Sequence, residues 1–119
     1  MKKTIILGAT PDSSRYAYKA AHMLVRHGHD IVPVGLKKGE VAGKPIRNDF
    51  PLEDNIDTVT LYVGAQNLPP LFDYIMKVKP KRIIFNPGTE NQDLIELAME
   101  NGIEPVLGCT LVMLAAGEY

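Results

Sequence analysis

The sequence predicts an α/β protein with a doubly wound, mainly parallel five-stranded sheet and helices on both faces. Five short apolar runs lead to this fold class, because each is typical of a strand buried on both sides. They lie at residues 4–9, 31–34, 58–63, 82–85 and 103–107. Most segments between them carry apolar residues at helical spacing. Strands alternating with helices over 119 residues predict one domain, residues 1–119, built on a parallel sheet.

The first run, residues 4–9, is continuously apolar and is expected to lie centrally in the sheet. A helix follows it and stops at Gly28. Its apolar positions are Ala17, Ala20, Ala21, Leu24 and Val25. The second run should pair beside the first, at an edge or a strand end, because Pro33 has no backbone N–H to donate. Residues 35–56 form a long connection with room for a short strand or a helical turn.

The third run, residues 58–63, is rich in β-forming residues. The next helix, over 68–78, tolerates Pro69 and Pro70 in its first turn. The fourth run, residues 82–85, is again apolar. Right-handed crossovers between parallel strands then place helices on both faces of the sheet.

The segment after the fourth run predicts a capped helix. Thr89 to Gln92 has capping-box spacing, so the helix should begin there, continue through Asn101 and end at Gly102. The fifth strand follows at 103–107, and residues 111–116 form a final short helix or strand.

Composition narrows the classes of function. Lys and Arg number 13 against 14 Asp and Glu, so no basic field favours nucleic acid or an anionic membrane. No apolar run reaches the length of a membrane span. Cys109 is the only cysteine, which excludes an internal disulfide and a cysteine-rich metal site. We expect a cytoplasmic protein that binds neither nucleic acid nor membrane.

In open parallel sheets, ligands bind beyond the carboxyl ends of the strands, so the loop after the first strand is the first candidate site. The loop offers a turn glycine, three hydroxyls and a guanidinium beside a helix start, a combination that suits a phosphate. These residues are Gly8, Thr10, Ser13, Ser14 and Arg15. Only the first glycine of a G-x-G-x-x-G fingerprint is present. The alternative is that Asp12 or Ser13 merely caps the helix.

The end of the second strand bears on which nucleotide binds. An NAD site usually has an acidic residue there for the ribose hydroxyls, but no acid occurs before Glu40. Lys37 and Lys38 instead suit a ribose phosphate, the 3′-phosphate of coenzyme A (CoA) or the 2′-phosphate of NADP. A solvated basic turn is the alternative for either lysine.

The loop after the fourth strand also offers polar groups. Gly88 permits close backbone approach, and Asn86 and Thr89 can hydrogen-bond a ligand; for Thr89 the helix cap is the favoured interpretation.

No catalytic constellation or metal-ligand spacing stands out in the sequence. The three histidines, His22, His27 and His29, cluster around the end of the first helix and are interpreted as surface residues. Cys109 follows the last strand and is interpreted as a small core residue rather than a nucleophile.

Several stretches together resemble the small stand-alone CoA-binding domain proteins, a family similar to the amino-terminal CoA-binding domain of the succinyl-CoA synthetase alpha subunit. The resemblance covers essentially the whole chain. It is carried by Gly8-Ala9-Thr10-x-x-Ser13-Ser14-Arg15, Val32-Pro33-Val34, Ile56-Asp57-Thr58-Val59-x-Leu61-Tyr62-Val63, and Pro80-Lys81-Arg82-Ile83-Ile84-Phe85-Asn86-Pro87-Gly88-Thr89-Glu90-Asn91.

The resemblance implies a Rossmann-like fold that holds CoA across the strand ends. Thr10, Ser13, Ser14 and Arg15 would meet the pyrophosphate, and Lys37 or Lys38 the ribose phosphate. Tyr62 and Val63 would flank the adenine. The pantetheine arm would face Asn86, Pro87, Gly88, Thr89 and Glu90.

Three functions follow from these observations. The first is a module that binds CoA or an acyl-CoA without chemistry of its own, which the lack of a plausible acid, base or nucleophile favours. The second is an NADP-binding oxidoreductase or redox sensor. The third is an interaction subunit with a vestigial nucleotide site. The sequence leaves a protein partner or a homo-oligomer open.

Overall fold

The computed structural model describes every residue from Met1 to Tyr119. Five strands form one sheet: β1 (Thr4–Leu7), β2 (Ile31–Val34), β5 (Thr58–Leu61), β6 (Arg82–Phe85) and β7 (Glu104–Leu107). Between β2 and β5, the strands β3 (Glu40–Val41) and β4 (Lys44–Pro45) pair as a small antiparallel hairpin. The helices are α1 (Tyr16–Arg26), α2 (Phe72–Val78), α3 (Gln92–Glu100) and α4 (Thr110–Ala115). No helix combines the length and the hydropathy that a membrane span requires.

The sheet confirms the predicted fold class, a Rossmann-like and doubly wound α/β arrangement. Its strand order is β2-β1-β5-β6-β7, and every neighbouring pair is parallel. β1 lies inside the sheet with β2 beside it, as expected, although the middle strand is β5. The chain adds β2 on one side of β1 and then β5, β6 and β7 on the other. The crevice between the carboxyl ends of β1 and β5 is therefore the switch point, where open α/β sheets bind ligands.

Successive side chains of the strands enter two separate cores, one on each face. Ile5 and Leu7 pack with α2 and α3, whereas Ile6 packs with α1 and α4. All three are at most 1% exposed. Fully burying one such side chain stabilises a fold by about 1.5–3 kcal/mol, which explains why these apolar runs become interior strands.

Both edge strands contain a proline whose nitrogen points away from the sheet. On the side of β7 that faces β6, Glu104 N donates to Lys81 O and Gly108 N to Phe85 O, so Pro105 faces outward. In β2, the Val34 carbonyl faces β1, so Pro33 also faces outward, where its own carbonyl accepts from Arg47 N at 2.9 Å. Neither proline removes a hydrogen bond from the ladder, and the predicted edge position of the second strand is confirmed.

Local helix predictions were partly wrong. The segment before α2 forms two 3₁₀ turns, Ala65–Asn67 and Pro69–Leu71, so the prolines precede the α-helix instead of opening it. The connection 35–56 holds a short hairpin, and the final segment is helical.

The expected cap of α3 was also wrong, and the alternative cap considered for α1 is absent. α3 is capped by Asn91, whose side chain accepts from Leu94 N at 3.0 Å, because the Thr89 hydroxyl donates to Asn86 O instead. At α1 no side chain caps the helix, since the carboxylate of Asp12 is bonded to Ser14.

Candidate functional site

A groove with a cavity volume of about 960 Å³ opens at the carboxyl ends of β1, β2, β5 and β6. It lies at the upper end of the range of about 300–1,000 Å³ that small-molecule sites occupy. One side, called here the anion wall, is formed by the β1–α1 loop, the start of α1 and the lysines after β2. The opposite side, called here the apolar wall, comprises Phe50, Tyr62, Val63, Pro70 and Leu71.

Gly8 fixes the start of the anion wall. Its φ of 97° lies in the left-handed region, and a Cβ built on it would lie 2.5 Å from the carbonyl oxygen of Tyr62. Only glycine fits there, because any side chain would collide with the backbone of the neighbouring strand end. The tight turn brings the β1–α1 loop across the carboxyl ends of the sheet.

The β1–α1 loop is held by its own polar groups. Asp12 Oδ1 accepts from Ser14 N at 3.0 Å and from Ser14 Oγ at 2.7 Å. The backbone N–H of Asp12 donates to Thr10 Oγ1 at 3.1 Å. The Ser14 hydroxyl is therefore engaged inside the loop, whereas Thr10 lines the groove and its hydroxyl donates to no acceptor within the protein.

The start of α1 presents unpaired donors to the groove. Arg15, Tyr16 and Ala17 line it, and the backbone N–H groups of Tyr16 and Ala17 have no acceptor within the protein. Such amides and the helix dipole favour an anion at this end. Arg15 is exposed and forms no salt bridge, so its guanidinium is free for a ligand.

Lys37 and Lys38 extend the anion wall along the end of β2. Their loop is fixed by Asn48, whose Nδ2 donates to Gly35 O at 2.7 Å and to Lys37 O at 3.0 Å. Neither lysine has a carboxylate partner. Asn48 was missed in the sequence because its role depends on a contact across the long connection.

Charge in the groove is predominantly positive. Three cations line it, Arg15, Lys37 and Lys38, against the single carboxylate of Asp12. Hydrogen bonds from the backbone and the hydroxyl of Ser14 lower the pKa of Asp12, and the nearby Arg15 and Lys37 lower it further. The carboxylate is thus ionised at neutral pH and leaves a net charge of plus two.

Two of the five residues of the apolar wall were expected there from the sequence. Tyr62 and Val63 were predicted to lie there, but Phe50 comes from the long connection and gave no recognisable signal. Its ring packs edge-on against Tyr74 at a centroid distance of 5.3 Å, and Tyr74 donates to Pro51 O at 2.8 Å. Burial raises the pKa of Tyr74 to about 12.

Tyr62 lies between the groove and the core. It lines the groove and packs against the core beneath α1 and α4, and its hydroxyl is buried. Burial, followed by the nearby Cys109, raises the pKa of the Tyr62 hydroxyl. The groove therefore meets the ring of Tyr62 rather than an ionisable oxygen.

The loop after β6 closes the groove with Pro87, Gly88 and Thr89. This loop is joined to the one after β5, because Ala65 N donates to Gly88 O at 3.3 Å and Asn91 Nδ2 donates to Ala65 O at 3.0 Å. These hydrogen bonds connect the loops after β5 and β6 into one continuous surface of the groove.

Asn86 is 2% exposed and lies beneath this loop rather than in the groove. Its Nδ2 donates to Thr60 Oγ1 at 2.7 Å and to Leu61 O at 2.8 Å, and its Oδ1 accepts from Thr110 N at 2.9 Å. One amide thus joins β5, β6 and the start of α4, which is a structural role.

Most of the predicted site residues converge on the groove. Those that line it are Gly8, Thr10, Arg15, Lys37, Lys38, Tyr62, Val63, Pro87, Gly88 and Thr89. Ser13, Ser14, Asn86 and Glu90 do not line it. Ser13 borders a separate depression of about 340 Å³ beside α1, and Glu90 accepts from Gly88 N at 2.9 Å from outside the groove.

The histidines and the cysteine lie apart from the groove lining. His27 is exposed, His29 accepts from Lys2 N at 2.9 Å, and the ring of His22 packs at a tilt against Tyr18, so the surface interpretation holds fully only for His27. Cys109 is partly exposed at the start of α4. No three His, Cys, Asp or Glu side chains come together as metal ligands would.

Similarity to solved structures extends over the whole chain. A crystal structure of an uncharacterized protein matches with a TM-score of 0.98 and 61% identity, covering 100% of this chain and 98% of that one. A hypothetical protein from Pyrococcus horikoshii OT3 matches with a TM-score of 0.88 and 27% identity, covering 97% and 82%. Acetyl-coenzyme A synthetase 1 of Ca. Korarchaeum cryptofilum shares the fold, with a TM-score of 0.73 and 19% identity over 92% of this chain and 26% of its own.

No curated protein matches this chain. The family model described as CoA binding domain matches residues 2–115. Because that match spans nearly the entire sequence, the protein belongs to the CoA binding domain family.

Proposed function

We propose that the protein binds CoA or an acyl-CoA in the groove, with the nucleotide end on the anion wall. The observation that supports this most directly is the convergence of three unpaired cations and two unpaired helix amides on one groove. CoA carries its charge on a pyrophosphate and a ribose 3′-phosphate, so it needs two separate positive regions. The family to which the chain belongs is consistent with this ligand.

Within the anion wall we assign the two positive regions to different phosphates. Arg15 and the amides of Tyr16 and Ala17 would bind the pyrophosphate, since a helix start and a guanidinium both donate to phosphate oxygens. Lys37 and Lys38 would bind the ribose phosphate as mobile point charges.

The apolar wall would hold the uncharged parts of the ligand. Tyr62 and Val63 would flank the adenine, and Phe50 and Leu71 supply further apolar surface to it. Pro87, Gly88 and Thr89 would face the pantetheine arm, and Gly88 permits close approach because it has no side chain.

We propose binding without a reaction of its own. The one carboxylate in the groove, Asp12, has a lowered pKa, which suits neither a general acid nor an efficient general base near neutral pH. Incubation with acetyl-CoA should therefore release no free CoA thiol above the rate without protein.

We propose the cytoplasm as the compartment, where the single thiol of Cys109 stays reduced.

A ligand panel tests the binding function directly. CoA, acetyl-CoA, dephospho-CoA, NAD, NADP and ATP are compared by thermal shift and by titration calorimetry at one salt concentration. CoA or acetyl-CoA should raise the unfolding temperature most, because a ligand that prefers the native state stabilises it by mass action. Stronger binding of NADP would move the assignment to the oxidoreductase or redox-sensor alternative. No binding of any nucleotide would favour an interaction subunit with a vestigial site.

Arg15→Ala tests the pyrophosphate position. Loss of a charge-assisted hydrogen bond should weaken CoA binding by ~1.5–3 kcal/mol. Arg26→Ala is the matched control, because Arg26 lies at the other end of α1, is exposed and does not line the groove. Equal affinity of the two variants for CoA would assign Arg15 to the ordinary surface.

A further inference from the structure

Asp12 is the one groove residue whose charge opposes the proposed ligand. It lies on the β1–α1 loop between Thr10 and Arg15, and all other ionised side chains lining the groove are cations. A phosphate bound at the start of α1 would meet this carboxylate at short range. An isolated negative charge at an anion site should weaken binding through Coulomb repulsion.

The same carboxylate organises the loop. Its Oδ1 accepts both the backbone N–H and the hydroxyl of Ser14, at 3.0 Å and 2.7 Å. The Arg15 N–H donates to the Asp12 carbonyl at 3.1 Å, which continues the turn into α1. The Asp12 residue therefore sets the direction in which the first helical amides and Arg15 point.

We propose, on the basis of the CoA function inferred above, that Asp12 is a positioning residue with two opposed effects on nucleotide affinity. Its acceptor oxygen orders the β1–α1 loop for the phosphate, whereas its negative charge weakens the phosphate's binding. The two effects belong to different properties of one side chain and are separable by substitution.

Substitution of Asp12 by Asn and by Ala separates the effect of the charge from that of the hydrogen bonds. Asp12→Asn keeps an Oδ1 acceptor for both Ser14 donors and removes the charge. Asp12→Ala removes the charge and both hydrogen bonds. Ser14→Ala keeps the charge and removes only the hydroxyl bond. Glu100→Gln is the matched charge control, because Glu100 is exposed on α3 and does not line the groove.

The experiment measures the dissociation constant of CoA for the wild type and these four variants at low and at raised salt. Asp12→Asn should bind CoA about fivefold more tightly, and raised salt should shrink this gain because exposed charges are screened. Asp12→Ala should bind about threefold or more weakly than the wild type, and Ser14→Ala about twofold more weakly. Glu100→Gln should stay close to the wild type.

Pantetheine, which has no phosphate, locates the effect. Its binding should not respond to Asp12→Asn, whereas that of dephospho-CoA, which keeps the pyrophosphate, should tighten as CoA does. If the wild type binds CoA and Asp12→Asn brings no gain, the charge effect is refuted while the CoA function stands. Tighter binding by Asp12→Ala would mean that the carboxylate only occupies donors meant for the phosphate, and would overturn the positioning role. If the wild type binds no CoA, the proposed function and this inference both fall.

Discussion

Asn86→Ala should destabilise the fold far more than its position in a loop suggests. The substitution removes three hydrogen bonds that join β5, β6 and α4, all of them below 3.0 Å. The two bonds donated by Nδ2 are worth about 1 kcal/mol each, and the Thr110 N–H left buried without an acceptor adds about 1–3 kcal/mol. The free energy of unfolding should therefore fall by about 3–5 kcal/mol, a large fraction of the about 5–15 kcal/mol typical of a domain.

The measurement is urea denaturation of the wild type, Asn86→Ala and Asn101→Ala, followed by far-UV circular dichroism. Asn101→Ala is the control, because its side chain makes one hydrogen bond, to Leu97 O, at an exposed helix end, and should lose less than about 1 kcal/mol. If Asn86→Ala also lost less than about 1 kcal/mol, the proposed role of this amide in joining β5, β6 and α4 would be refuted.

Asn86→Asp extends the test to pH. The introduced carboxylate keeps an acceptor for the Thr110 N–H but faces the Leu61 carbonyl without a proton to donate. Burial raises the pKa of that carboxyl in the folded state above its unfolded value, so the variant should be most stable at low pH relative to the wild type. The deficit should grow as the pH rises through the folded-state pKa. A deficit independent of pH would contradict this account.

Three further outcomes follow from other parts of the molecule. Gly8→Ala should lower the free energy of unfolding, measured by urea denaturation, by at least about 2 kcal/mol, since the new Cβ meets a backbone oxygen. Gly43→Ala is the control and should lose only about 1 kcal/mol, because Gly43 has a φ of 80° but no atom within 4 Å of the Cβ. CoA should bind ~1–2 kcal/mol, or about five- to thirtyfold, more tightly than dephospho-CoA, and replacing Lys37 and Lys38 by Ala should narrow that gap; equal affinities for the wild type would assign the lysines to a solvated turn. Tyr74 has a raised pKa in the folded state, so the stability it contributes is complete below the unfolded value of 10 and is lost between pH 10 and about 12; Tyr74→Phe should flatten this part of the pH–stability curve.

The fold class was predictable because both faces of this sheet are covered by helices. Ile5 and Ile6 face opposite cores, so the strand has no polar face and its residues form a continuous apolar run. A proline in the second run indicated an edge, and the structure agrees. Apolar runs arise because consecutive residues of a strand are buried together. A few adjacent residues are therefore enough to reveal such a strand in the sequence.

Hydrogen-bond partners were much less predictable. Thr89 has capping-box spacing, yet its hydroxyl donates to Asn86 O, and Asn91 caps α3 instead. Several acceptors lie within reach of each hydroxyl, and only the fold decides among them. For the same reason Asn86, which was expected to face a ligand, is buried under the loop. Phe50 was missed because it reaches the groove from a connection that has no helical or strand periodicity.

The outward-facing prolines make the two edge strands of this sheet poor templates for a further strand. An unpaired edge normally presents a row of N–H donors and carbonyls on which a foreign strand can assemble. Pro105 interrupts that row on β7, and on β2 Pro33 does so while Arg47 already takes its carbonyl. Strand addition is therefore disfavoured at both edges of the sheet, which lowers the tendency of the fold to aggregate edge to edge.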